Sequence, residues 1–597
     1  MKTNKAHGQL RRGQLLTTYG PGALFDLPRH SAIVGGLDAW PSDLEEISEP
    51  RLARKIQQIT GVINPRLYAP PAADDTPGAT PAGIGVYRFP EWFIVQEESA
   101  AGARVRSRRL VPRQALDQRN RYDGRPVVAT RFVAACSRGH IEDLDWRTFV
   151  HRGHTPCRRQ LWLDELGTSG DLGDLEARCE CGARRRMIEA MNRDMRLLGH
   201  CKGRRPWLGP GSDEACGEPL RLLIRTASNA YFPQALMVLS LPERDSGIDA
   251  VVQELWGELS IVEEVGDLRI VRRKAHVAQK LADVADEAVF AAIERKRSGV
   301  LQPERPLKHV ELDALLAAPE GYGEDVPLNE DFHARRLPER VWRRSALSTG
   351  IVAIYQVHRL REVMALIGFT RFEAITPDIN GEYDQDVECA ALAREPAWFP
   401  AVENRGEGLF VQVDGAAIGR WLERPAVQQR LEALIRGHEQ WQARRHARRD
   451  FPGGPYILLH TLSHLLLQSL ALRCGYPMSA IRERIYADPG GQRYGLLLYT
   501  GSPDASGTLG GLVQQARSIE EHLDYALRTA MLCSNDPICA QHTPDDTLEE
   551  RWLLGAACHG CALIGESSCE MRNDYLDRAL VVPVLGLEDT AFFNLEL

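Results

Sequence analysis

The stretch "ACHGCALIGESSCE", residues 557–570, puts Cys558, Cys561 and Cys569 within twelve residues. Cys558 and Cys561 form a C-x-x-C pair, a spacing at which a tight turn aims two thiolates at one tetrahedral ion. Cys569 follows after seven intervening residues. A zinc site of this kind needs a fourth ligand. Cys539, in "CSNDPICAQH", is the best candidate, with Cys533 and His542 as alternatives. Four thiolates close the coordination sphere, so the site is expected to be structural, pinning the chain where the core is thin. Buried free cysteines are common, but three in so short a span argue for a metal.

Upstream, residues 131–235 hold six more: Cys136, Cys157, Cys179, Cys181, Cys201 and Cys216. Cys179 and Cys181, in "RCECGARR", are too close for an unstrained disulfide but can share a metal, which Cys201 and Cys216 could complete. The remaining ligands, Cys136, His140, His154 and Cys157, then make a second set, C-x3-H with H-x2-C. A rival partition puts Cys136, Cys157, Cys179 and Cys181 on one ion. His140 reads equally well as a capping residue. Basic residues flank these knuckles ("CRRQ", "GARRRM", "CKGRRP"). Such flanks either meet phosphates or are simply solvated.

The chain has 597 residues, of which 44% are hydrophobic and 26% charged. That is ordinary for a multidomain globular protein. A net charge of −8 excludes a general polycation, so contact with nucleic acid must rely on local basic patches. No signal-like apolar run opens the sequence, and no stretch of eighteen apolar residues appears, so a cytoplasmic protein without a membrane span is expected. Clustered cysteines in that setting bind metal rather than pair as disulfides.

The fold expected is multidomain α+β, mixed helical and small-sheet domains stapled by zinc knuckles. Its divisions are an N-terminal domain (1–130), a cysteine-rich zinc-binding domain (131–235), a helical region (236–345), a mixed α/β region (346–450) and a C-terminal domain with the four-cysteine site (451–597). "GPG" at 20–22 marks a turn, and 68–85 is a loop by composition. "AHVAQKLADVADEAVFAAIERKRSG" has helical periodicity up to Gly299. "AIYQVHRLREVMALIGFTRF" suggests a helix ending at Gly368, and "GEGLFVQVD" alternates like a strand. "YILLHTLSHLLLQSLAL" reads as a buried helix.

Several catalytic signals fail. "HTLSH" places His460 and His464 one helical turn apart, but position 461 is Thr, so the Glu of a zincin is missing and a packed pair of histidines is expected. "GSPDASGTLGG" lacks the G-K-[ST] of a phosphate loop. No G-x-S-x-G is present. Trp398 and Phe399 could stack on bases, although core packing suits them better.

In order along the chain, "RRGQLLTTYGPGAL", "CSRGHIEDLDW", "RTASNAYFP", "GFTRF", "WFPAVENRGEGLF" and "CSNDPIC…AACHGCALIGESSCEMRNDYLDRAL" resemble the DrmB family of bacterial DISARM anti-phage systems. The last resembles a domain that follows the motors of some superfamily 2 helicases. The resemblance spans nearly the whole chain. It implies structural Zn2+, a DrmA-like helicase partner that supplies the ATPase, contact with DNA, other defence-system subunits and no catalytic residue. Two other functions compete: a metal-dependent nuclease or hydrolase using His460 and His464, and a scaffold that never touches DNA.

Overall fold

The computed structural model describes residues 10–27, 30–71, 83–97, 105–167, 171–192, 195–241, 251–252, 254–282, 284–298, 305–323, 326–327, 330–343, 350–383, 389–445, 449–501, 511–546 and 549–595. Most of the 68–85 loop, Gly299 and most of "GSPDASGTLGG" lie outside them. The chain forms two compact units, each discontinuous in sequence. The first takes residues 1–237, 363–377 and 383–403, and the second takes 238–362, 378–382 and 404–597. The chain therefore passes between them five times. The five consecutive segments expected from sequence do not follow this division. The strands Ile351–Thr370 and Trp398–Val413 each contribute residues to both units.

The first unit is mainly antiparallel sheet. Its largest sheet runs in the order Arg184–Arg186, Leu175–Cys179, Leu161–Glu165, Arg106–Pro112, Trp92–Val95, Arg125–Ala129, Arg121–Tyr122. A smaller sheet sets Phe132–Ala135 between Ile141–Asp143 and Arg221–Ile224. The short helix Trp146–His151 is capped by Asp145, whose carboxylate accepts from the Thr148 N–H. Trp146, Phe149, Leu161 and Leu163 share one buried cluster with Cys136, Cys179 and Cys201. The cysteines thus belong to the core itself, in a unit with little helix to bury. Phe399 is buried here, and Trp398 packs edge-on against Trp40 and Tyr68, so both are used in packing.

The second unit holds the larger core. The helix Gly454–Cys474 is buried around nearly its whole circumference. It packs on the hairpin Ile481–Asp488/Arg493–Thr500 and on the helix Ile519–Ala530. Pro455 stands in its first turn, and Gly475, at φ +73°, closes its end. It is long and apolar enough to cross a membrane, but 72% of that window is buried within the protein. Polar stitches hold this layer together: Arg484 donates to both oxygens of Glu311, which also accepts from the Tyr486 hydroxyl. The expected long helix ending at Gly299 is instead two, Ala275–Lys280 and Asp286–Ser298. Both help form a small separate core around Leu259, Leu268, Val277 and Ile293.

A further expectation is overturned. "AIYQVHRLREVMALIGFTRF" is not a helix: Ile351–Thr370 is a strand of twenty residues, paired antiparallel with Phe332–Arg336. The expected fold class holds: α+β, with mixed helices and antiparallel sheets.

Candidate metal centres

Three groups of four cysteine or histidine side chains converge, each with its ligand atoms within 4.8 Å of one another. The first joins Cys136, His140, Cys201 and Cys216. Cys136 precedes the turn that leads to Ile141–Asp143, and its Sγ lies 3.4 Å from His140 Nδ1. His140 Nε2 is 2.7 Å from Glu214 Oε1, and Glu214 is in turn held by Arg205 at 2.7 Å. A carboxylate behind the imidazole fixes its tautomer, leaving Nδ1 as a lone-pair donor, the arrangement typical of a metal-bound histidine. Burial holds His140 below its ordinary pKa, against the opposing pull of Glu214, so it stays neutral and able to ligate. The Gly203 N–H donates to Cys201 Sγ at 3.2 Å.

The second joins His151, Cys157, Cys179 and Cys181. His151 ends its helix, with Nδ1 2.9 Å from the Arg147 carbonyl and Nε2 3.3 Å from Cys181 Sγ. Because a carbonyl only accepts, Nδ1 carries the proton and Nε2 is free to ligate. Cys157 and Cys179 lie Sγ to Sγ at 3.6 Å. Burial lifts the Cys179 thiol to about 11. Arg152, Arg158, Arg159, Arg184 and Arg186, all exposed, come from the segments that carry these ligands.

The third joins Cys533, Cys539, Cys558 and Cys561. The Sγ separations are 3.4 Å for Cys533–Cys558, 3.7 Å for Cys539–Cys561 and 3.7 Å for Cys558–Cys561. Backbone N–H groups point at the sulfurs: Asn535 at Cys533, Gly560 at Cys558 and Cys558 at Cys561. Such donors stabilise thiolates. The hydrogen bond from Cys561 pushes the Cys539 thiol down to about 6, and that same bond, with burial, raises Cys561. Asp536 accepts from the Cys533 N–H and pairs with the buried Arg578, tying the knuckle to the helical core.

The structure groups these side chains differently from the sequence expectation in three places. Cys569 does not join Cys539, Cys558 and Cys561. Cys533 takes that place, and Cys569 turns inward to His460. Cys179 and Cys181 do share a centre, but with His151 and Cys157, whereas Cys201 and Cys216 go to Cys136 and His140. Neither the preferred partition nor its rival matches, and His154 is in no group. His542 also stands apart, its imidazole against Glu549. His151 went unnoticed; its signal was a histidine in the last turn of a capped helix, six residues before a cysteine.

Four-coordinate sulfur and imidazole sets on an α+β scaffold are the donor chemistry of structural zinc, and they leave no coordination position open. The chain is thus a zinc-binding protein. Residues 462–562 match the family described as the MrfA Zn-binding domain, a span that includes all of Cys533, Cys539, Cys558 and Cys561. Residues 11–232 match a family described as a domain of unknown function, DUF8724. The chain is 31% identical over 486 residues to DISARM protein DrmB of Bacillus paralicheniformis, across 79% of this chain and 83% of the relative. It belongs to the DrmB family.

Proposed function

We infer that this chain is a zinc-stabilised, non-catalytic DNA-binding subunit of a cytoplasmic DISARM defence complex. A DrmA-like superfamily 2 helicase supplies ATP hydrolysis, and other defence subunits join the pair. Cys136, His140, Cys201 and Cys216 hold one zinc, His151, Cys157, Cys179 and Cys181 a second, and Cys533, Cys539, Cys558 and Cys561 a third. The ions rigidify these loops because the thiolate and imidazole bonds to the metal offset the entropy cost of ordering them. The observation that carries the DNA reading is the set of exposed arginines, Arg152, Arg158, Arg159, Arg184 and Arg186, on the segments of the second quartet in a chain of net charge −8. Guanidinium groups on a metal-pinned loop are pre-organised for phosphate.

The test is fluorescence anisotropy of the complex on a labelled duplex across a salt series. Affinity falls steeply with salt, and replacing Arg158, Arg159, Arg184 and Arg186 by Ala lowers the log–log slope by about 0.9 per lost phosphate contact. A flat salt dependence, or an unchanged slope in the variant, overturns the reading. Absence of any crosslink from this subunit to DNA would favour the scaffold. Metal-dependent cleavage abolished by His464→Ala would favour the nuclease. The full burial of His460 and His464 speaks against that third reading, since no substrate reaches them.

A further inference from the structure

His460, His464, Glu483 and Cys569 form a fourth convergent group, separate from the three quartets. We propose that these four side chains hold a fourth divalent transition-metal ion of the zinc class, as a closed structural centre inside the C-terminal core. The two histidines project from successive turns of Gly454–Cys474, Glu483 from the strand Ile481–Asp488, and Cys569 from the loop beyond the third quartet. His460 Nε2 lies 3.0 Å and His464 Nε2 3.3 Å from the same oxygen, Glu483 Oε1. His460 Nε2 is 3.2 Å from Cys569 Sγ. Ligands at ordinary zinc bond lengths around a tetrahedron stand about 3.3 to 3.6 Å apart.

The convergence of four buried donor atoms, all within 4.8 Å of one another, carries the argument, and their hydrogen bonds support it. His460 Nδ1 is 3.2 Å from the Tyr575 carbonyl, and His464 Nδ1 is 2.8 Å from the Ala562 carbonyl. A carbonyl cannot donate, so both Nδ1 atoms carry protons. In the neutral imidazoles both Nε2 lone pairs then face a carboxylate oxygen that is itself only an acceptor. Glu483 already accepts from the Ser463 hydroxyl and, at 3.2 Å, from the Glu570 N–H. Cys569 Sγ accepts from the N–H groups of Met571 at 3.4 Å and Asn573 at 3.1 Å. Apart from the Cys569 thiol proton, four electron-pair donors therefore meet with no hydrogen-bond donor between them.

Protonating both imidazoles would relieve that conflict but leave two cations on one carboxylate, with the histidine and glutamate side chains 0% exposed. An uncompensated buried charge is costly. A divalent cation with one carboxylate and one thiolate sums to zero. The carbonyls behind the imidazoles then serve as the outer partners that orient metal-bound histidines. Four protein ligands leave no site for substrate, so the centre ties helix, strand and final loop together rather than catalysing a reaction.

Metal analysis of the purified full chain by mass spectrometry tests this. Four ions per chain are expected in the wild type and three in Glu483→Gln and in Cys569→Ser. Cys558→Ser also loses one, from the third quartet. An anomalous difference map at the zinc edge, which needs no variant, is expected to show a peak between His460 Nε2, His464 Nε2 and Cys569 Sγ. No peak there, or a full metal count retained by Glu483→Gln, overturns the proposal. Neither readout involves DNA, so failure of the DNA-binding role leaves this result distinct.

Discussion

Gly203 has φ +68°, and a Cβ added there would fall 1.7 Å from the Glu214 carbonyl oxygen. Its N–H holds Cys201 Sγ, so the close approach of backbone to backbone and the metal centre depend on the same residue. Gly203→Ala is expected to force these two loop segments apart, lowering the metal content by one ion and destabilising the first unit by more than about 1 kcal/mol. Glu214→Gln is milder: it removes the carboxylate behind His140 and should weaken that centre about 10- to 100-fold, measured by competition with a chromogenic chelator. At this scale the sequence pointed to which side chains converge far better than to which of them go together. C-x-C and C-x-x-C spacings bring their own thiols together through local turns. The rest of each set is chosen by tertiary packing. Cys569, eight positions beyond Cys561, meets a histidine 109 positions upstream, and spacing carries no trace of that.

Among the elements, Gly454–Cys474 was legible because an apolar run of that length, bounded by glycines, has few alternatives to a buried helix. Leu466, fully buried at its centre, is expected to cost about 2–5 kcal/mol when replaced by Ala, read from denaturant unfolding. The strand Ile351–Thr370 was misread for a physical reason. It is buried on both faces over most of its length, with Gln356, Arg361 and Glu362 inside, so the alternation that marks a half-exposed strand is absent. The buried Glu362 is held by Arg482, Asn404 and Tyr499, so a charge that suggests a solvated helix face is satisfied within the core. The helix Ile519–Ala530 predicts a pH effect. Burial pushes His522 down to about 4, with Ser469 and Gln515 as its hydrogen-bond partners. The unfolded chain takes up this proton near pH 6.5 and the folded chain only near 4. Stability therefore falls as pH drops through that window, by up to about 3 kcal/mol, and His522→Gln should flatten this part of the profile.

For the whole molecule, class and family were legible, because cysteine clusters and ordered motifs survive without knowledge of contacts. The two-unit division was not, since it depends on strands pairing across hundreds of residues. A fragment ending at residue 345 lacks residues 363–377 and 383–403 of the first unit and most of the second. Such a fragment is expected to be proteolysed rapidly and to give no cooperative thermal transition, whereas the full chain should resist and melt cooperatively. Prolonged treatment with a strong chelator should lower the melting temperature of the full chain, and readded Zn2+ should restore it if unfolding has not led to aggregation.

The interleaving also has a consequence on the ribosome. All ligands of the first two quartets lie between residues 136 and 216, so both can close while the rest of the chain is still being made. The first unit must then wait for residues 363–403 to emerge, a delay of the order of ten to forty seconds at bacterial elongation rates. During that interval two captured ions would serve as temporary clasps on an unfinished sheet. A cell starved of zinc would then lose the protein during its synthesis rather than afterwards.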